Sequence, residues 1–197
     1  MTDMSPFHFR PVAVFALLAA AGLLLSAPLR AADGDGAPVF RRPALLTSAG
    51  QSSDIVIVKA LVNTQLKMDF VVKPVAQPAD LAGIRSLAVV VGASAKGLGA
   101  AGLDMEKETA RCRALLQAAR EQKIPILVLH TGGEGRRGKT SNDLIALAVP
   151  EADTVIVVAG GNRDKLFDSL AAKRKVPVVE VDKLAAAGAA VKALFTE

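Results

Sequence analysis

Six short apolar runs divide the chain, at residues 44–47, 69–73, 86–91, 125–130, 154–159 and 177–181. They are rich in Val, Ile and Leu and show little polar alternation, the pattern of strands buried on both faces of a parallel sheet. Between them, apolar positions recur at helical spacing over residues 54–65, 79–83, 104–122, 142–149 and 163–173, and a final helix is predicted over 183–195. Residues 55–58 (Ile-Val-Ile-Val) are β-branched and suit a strand by propensity alone. A helix is predicted there because Ser53 can cap it, Asp54 suits its first turn, and apolar residues fall at 55, 58, 61 and 62. Ser141 and Asn162 stand at further helix starts, and Pro150 ends the helix of residues 142–149.

This alternation predicts a single α/β domain over residues 43–197. Its architecture is a three-layer, doubly wound (Rossmann- or flavodoxin-like), mostly parallel sheet of about six strands. In such sheets ligands sit outside the carboxyl ends of the strands, where the strand order reverses. Four loops that follow strands, at 47–53, 92–102, 131–141 and 160–163, are long, small and polar, whereas the opposite edge has short connections such as 122–124. A site is therefore expected at the carboxyl edge, with the Gly-rich 92–102 segment as a flexible loop or lid.

The amino terminus changes the setting. Residues 12–25 are almost purely apolar, at the length of a secretory signal core and shorter than the roughly 20 residues of a spanning helix. His8 and Arg10 precede the core, Pro28 breaks it, and Ala31-Ala32 offers small residues for cleavage. Residues 1–32 are read as a cleavable signal peptide, and the Gly- and Asp-rich residues 33–42 as a flexible leader. The mature protein is expected in the periplasm or secreted, without stable membrane insertion. No cysteine stands just after the signal core, which argues against a lipid anchor.

Composition then narrows the chemistry. The formal net charge of the whole chain is +5, a mild excess without a dense basic face, and Trp and Tyr are absent. With Phe also few, aromatic platforms for sugars or single-stranded nucleic acid are scarce, and no nucleic-acid partner is expected. Cys112 is the only cysteine, so no intrachain disulfide forms. It falls on the apolar face of a predicted helix with Met105, Thr109, Leu116 and Ala119, the setting of an inert thiol.

Two loops carry nucleotide-binding spellings. Residues 133–140 read Gly-Glu-Gly-Arg-Arg-Gly-Lys-Thr, the P-loop pattern, and residues 97–102 read Gly-Leu-Gly-Ala-Ala-Gly, the dinucleotide pattern. An exported protein rarely meets ATP or NAD. No strand in the sheet centre ends in a Mg²⁺-supporting Asp, Gly97 lies several residues beyond its strand, and His130 stands where a ribose-binding carboxylate belongs. No cofactor is expected. A hydrolytic set can be drawn from Ser94 and His130, with Asp164 or Asp143. Residues 92–96 nevertheless miss the last glycine of a nucleophile elbow. One His and one Cys far apart make no metal-ligand set.

Generic anion chemistry survives. Loops rich in Gly and Ser present free N–H groups, and Arg136 and Arg137 add forked donors suited to carboxylate or phosphate. The expected ligand is a small anion or the acidic group of a partner protein. It would be bound without catalysis by Ser48, Gln51, Ser52, Ser94, Lys96, His130, Gly133, Arg136, Arg137 and Ser141. The alternative is a periplasmic hydrolase using Ser94 or His130, and a remoter one is nucleotide binding at Gly133 to Thr140.

Three segments also resemble a known family. Residues 46–52 (Leu-Thr-Ser-Ala-Gly-Gln-Ser), the Gly- and Ala-rich residues 92–102, and residues 132–141 from Gly132-Gly133 through Arg136-Arg137-Gly138 to Ser141 are similar to a family of exported bacterial proteins catalogued as a domain of unknown function. The resemblance extends from about residue 45 to the last helix. It implies an export signal and one α/β domain, and no activity. The family pattern keeps Arg-Arg-Gly and the later Ser but not Lys-Thr, which would make Lys139 and Thr140 incidental to the loop.

Overall fold

The buried strands send successive side chains into two separate cores. Leu45, Leu87, Val89, Ile126, Val128, Val155 and Val157 point to one face. Leu46, Ala88, Val90, Leu127, Leu129 and Ile156 point to the other. Because neighbouring side chains on a strand face opposite ways, a strand covered on both sides must be apolar at every position, which is why the runs lack alternation. The computed structural model describes residues 39–195. Its strands are β1 (Ala44–Ala49), β2 (Val71–Val72), β3 (Ser86–Val91), β4 (Ile126–His130), β5 (Thr154–Val158) and β6 (Val178–Val181). They form one sheet in the order β2-β1-β3-β4-β5-β6, and every pairing is parallel.

Helices cover both faces. Cys112, Leu115 and Leu116 of α3 (Met105–Glu121), Leu144 and Ile145 of α4 (Lys139–Ala148), and Phe167 of α5 (Leu166–Ala171) close the first core. Ile55 and Val58 of α1 (Asp54–Lys59) and Ala187 and Val191 of α6 (Leu184–Leu194) close the second. The expected three-layer, doubly wound α/β fold is the one observed. The strand order places the reversal between β1 and β3, since the chain leaves β1 outward to β2 and returns to β3 on the other side.

Several local expectations change. The strand predicted over 69–73 is paired only at Val71–Val72. The helix predicted over 54–65 is α-helical to Lys59 and then widens into a π-helix, Ala60–Gln65. The segment expected as a loop or lid contains α2 (Ala95–Ala100), because the Ser94 hydroxyl accepts the Gly97 N–H at 3.1 Å and caps it. Ser53 and Ser141 do not cap their own helices. Phe40, assigned to the leader, is fully buried and pairs with Phe195, their rings 5.6 Å apart. The predicted signal peptide and the start of the leader lie outside the described residues.

Candidate functional site

In a sheet of this order the crevice opens where β1 and β3 diverge. Here the two loops close over it. Gly92 N–H donates to Ala49 O at 2.9 Å, Ser94 N–H donates to Gly50 O at 2.8 Å, and Gln51 pairs antiparallel with Ala93. Glycine makes this approach feasible. A Cβ on Gly97 would stand 1.8 Å from Gln51 O, and one on Gly50 would stand 2.5 Å from Gly92 O. Of the glycines that spell the dinucleotide pattern, Gly97 thus serves chain-to-chain packing, whereas a Cβ on Gly99 or Gly102 would meet nothing within 4 Å.

Beneath these loops lies a buried ion pair that the sequence reading did not anticipate. Glu108 is fully buried, and its Oε1 accepts the Gly50 N–H at 2.7 Å and Gln51 Nε2 at 3.0 Å. Arg111 donates from Nε to Glu108 Oε2 at 2.8 Å, from Nη2 to Ser48 O at 2.5 Å and from Nη1 to Ala76 O at 2.8 Å. Burial pushes the Glu108 carboxyl up, but hydrogen bonds from Arg111, Gly50 and Gln51 outweigh it, so the group lies below its ordinary value. The available signal was a Glu and an Arg three apart, interleaved with the apolar positions of α3.

The loop after β4 is tied down as tightly. His130 is fully buried, with Nδ1 3.0 Å from Val91 O and Nε2 3.0 Å from Gly133 O. Ser141 Oγ accepts the Ala93 N–H at 2.9 Å, joining α4 to the loop after β3. Arg137 donates from Nε to Asn142 Oδ1 at 2.8 Å, from Nη2 to Asp164 Oδ2 at 2.8 Å, and from Nη1 to Asp164 Oδ1 and Gly161 O. Its guanidinium also lies 5.6 Å from the Phe167 ring centre. Hydrogen bonds from Arg137 hold the exposed Asp164 carboxyl below its ordinary value. Arg137 therefore clamps the β4 and β5 loops together, and most of its donors are already engaged.

Arg136 behaves differently. Its stem crosses Gly132, where a Cβ would fall 1.9 Å from Arg136 Cγ. Its Nη2 donates to Ser53 Oγ at 3.0 Å, its Nε stands 3.4 Å from Asp54 Oδ1, and the side chain keeps 34% of its surface exposed. Among the described residues, Nη1 takes part in no hydrogen bond. Asp54 is buried against this guanidinium, and its Oδ2 has no donor. The structure thus brings Arg136, Ser53 and Asp54 together at the strand switch point, although neither Ser53 nor Asp54 was expected in the site.

A model of the family described as "Domain of unknown function (DUF6305)" matches residues 41–195. The chain belongs to this family. The match begins just before β1 and ends at Phe195, so the family domain contains all six strands and every loop described above. No curated protein and no solved structure matches the chain.

Within this family domain the remaining expected site residues disperse. Ser48 is buried inside β1 and its hydroxyl has no partner. Ser52 is buried, with its hydroxyl 3.4 Å from the Asp54 N–H. Gln51 Nε2 also donates to Pro74 O at 3.1 Å, and Lys96 lies exposed on α2. Part of the backbone in residues 133–140 is already engaged. Glu134–Arg136 curls into a 3-10 turn, so the N–H groups of Arg136 and Arg137 donate to Gly133 O and Glu134 O. Lys139 pairs on the surface with Asp143 at 3.0 Å. Among the described residues no group of three or more His, Cys, Asp or Glu could hold a metal ion.

Proposed function

We propose that the protein is an exported, non-catalytic binding or accessory module that receives a small anion, or the acidic group of a partner, at the carboxyl edge of its sheet. The contact is Arg136. The observation that carries the reading is the contrast between two adjacent arginines: Arg137 is engaged by Asn142, Gly161 and Asp164, whereas Arg136 is held by Ser53 and Asp54 with its Nη1 still available. A guanidinium oriented by its own neighbours loses little freedom when an oxyanion arrives, which favours forked recognition of carboxylate or phosphate.

The hydrolase alternative finds less support. Both ring nitrogens of His130 face backbone carbonyls, and Ser94 Oγ is occupied as the cap of α2, so neither group is poised to activate the other. Export rests on the apolar segment at residues 12–25 and the small residues that follow it. Among the described residues no helix is long and apolar enough to cross a membrane.

The test is thermal stabilisation by inorganic phosphate and by succinate, against NaCl of equal ionic strength. The wild-type melting temperature should rise with either anion, the rise should vanish in Arg136→Ala, and it should persist in Lys139→Ala. An unchanged rise in Arg136→Ala would remove the assignment. Mass measurement of the chain from a periplasmic fraction tests export, since retention of the intact signal in the cytoplasm opposes it.

A further inference from the structure

The exposed side of α1 carries more apolar surface than the fold requires. Ile55 and Val58 enter the second core, but Val56 and Ile57 are 63% and 45% exposed. Both are β-branched, which is unfavourable for a helix and gains nothing in water. Ala60, also exposed, extends the same stripe. Neighbours on a helix surface are three and four residues apart, so Ser53, Val56, Ile57 and Ala60 lie on one face. Ser53 is the residue to which Arg136 Nη2 donates at 3.0 Å. A partly exposed cation therefore stands at the head of an exposed apolar stripe.

We infer that this face docks an extended segment of a partner protein in which two apolar side chains adjoin an Asp or Glu. The apolar residues would cover Val56, Ile57 and Ala60, and the carboxylate would meet the Nη1 edge of Arg136. Charge complementarity selects this occupant. Asp54 and Ser53 already hold Nε and Nη2, so a purely apolar segment would cover the Nη1 edge without giving it an acceptor, and a simple anion leaves the stripe in water. The inference rests on the anion-receiving role of Arg136 and specifies the source of the acidic group.

The experiment is selection of a random peptide library displayed on phage against the mature protein, followed by titration of the selected synthetic peptides. Enriched peptides should share an acidic residue beside two apolar ones. Affinity should fall about tenfold or more in the Val56→Ser/Ile57→Ser double variant and in Arg136→Ala, as for central interface residues. Replacing the peptide's Asp or Glu by Asn or Gln should cause a similar loss. Failure to enrich any peptide, a consensus without acid, or equal binding by the double variant would overturn the inference. So would concentration-dependent dimerisation, seen by sedimentation, that the double variant abolishes, because the stripe would then belong to a second copy. The double variant should keep the phosphate response of the wild type. If that response is present while peptide selection fails, the docking surface is wrong and the anion site stands; if Arg136→Ala leaves the response intact, the anion site itself fails.

Discussion

Glu108 Oε1 accepts the backbone N–H of Gly50 at 2.7 Å, joining α3 to the carboxyl end of β1. Arg111 holds the same carboxylate from the other side. Glu108→Gln would leave a buried guanidinium without its counter-charge, and removing one partner of a buried pair costs about 3–5 kcal/mol. Urea denaturation at pH 7 should show a loss of that order, larger than for Lys139→Ala, whose ion pair lies on the surface.

The same carboxylate sets an acid limit. Its folded value lies below the ordinary 4.5, so the unfolded chain binds the proton more readily. The stabilisation is complete above about pH 4.5 and is lost as pH falls through the lower folded value. The urea midpoint of the wild type should therefore drop on acidification below that point. Glu108→Gln should show a shallower drop across the same window, and parallel profiles would contradict the assignment.

Gly132 leaves room for the Arg136 stem and for Asp54 Oδ2, which would stand 2.7 Å from an added Cβ. Gly132→Ala should displace the Arg136 guanidinium without changing any charge. Loss of the phosphate-dependent rise in melting temperature, with the fold retained by circular dichroism, is the expected outcome.

His130 links the end of β3 to the loop after β4 through its ring, so its truncation removes packing against Phe167 and the ring contacts to Val91 O and Gly133 O. His130→Ala should destabilise by about 2–4 kcal/mol, as for buried groups that leave a cavity and unanswered carbonyls. A stability equal to wild type, measured by urea denaturation, would argue against the tether.

Cys112 offers a simple readout of core integrity. Burial pushes its thiol up to about 12. The native protein at pH 8 should resist a thiol-specific disulfide reagent, and modification should proceed only as fast as the chain opens. Immediate stoichiometric reaction would show that the first core is open.

The fold was legible because β-strand burial on both faces writes unbroken apolar runs, and all six predicted runs overlap observed strands. The ends were less legible. Residues 69–73 look like a full strand, but only Val71–Val72 pairs with β1, at the sheet edge. The helix α2 was hidden because its glycines at 97 and 99 lower helix propensity, while Gly97 is required by contact with Gln51 O. Arg136 and Arg137 look equivalent along the chain.

The amino-acid sequence by itself determined the layered α/β architecture, the loaded carboxyl edge and the inert setting of Cys112, all consequences of local periodicity. Only the tertiary structure decided the strand order, the burial of Glu108 and Arg111, and the different partners of Arg136 and Arg137. Those depend on partners far apart in the chain: Gly50 for Glu108, Ser53 and Asp54 for Arg136, and Asp164 for Arg137. A polar side chain's role is set by which donors and acceptors reach it. Local pattern places the residue, and long-range contact leaves its charge available or engages it.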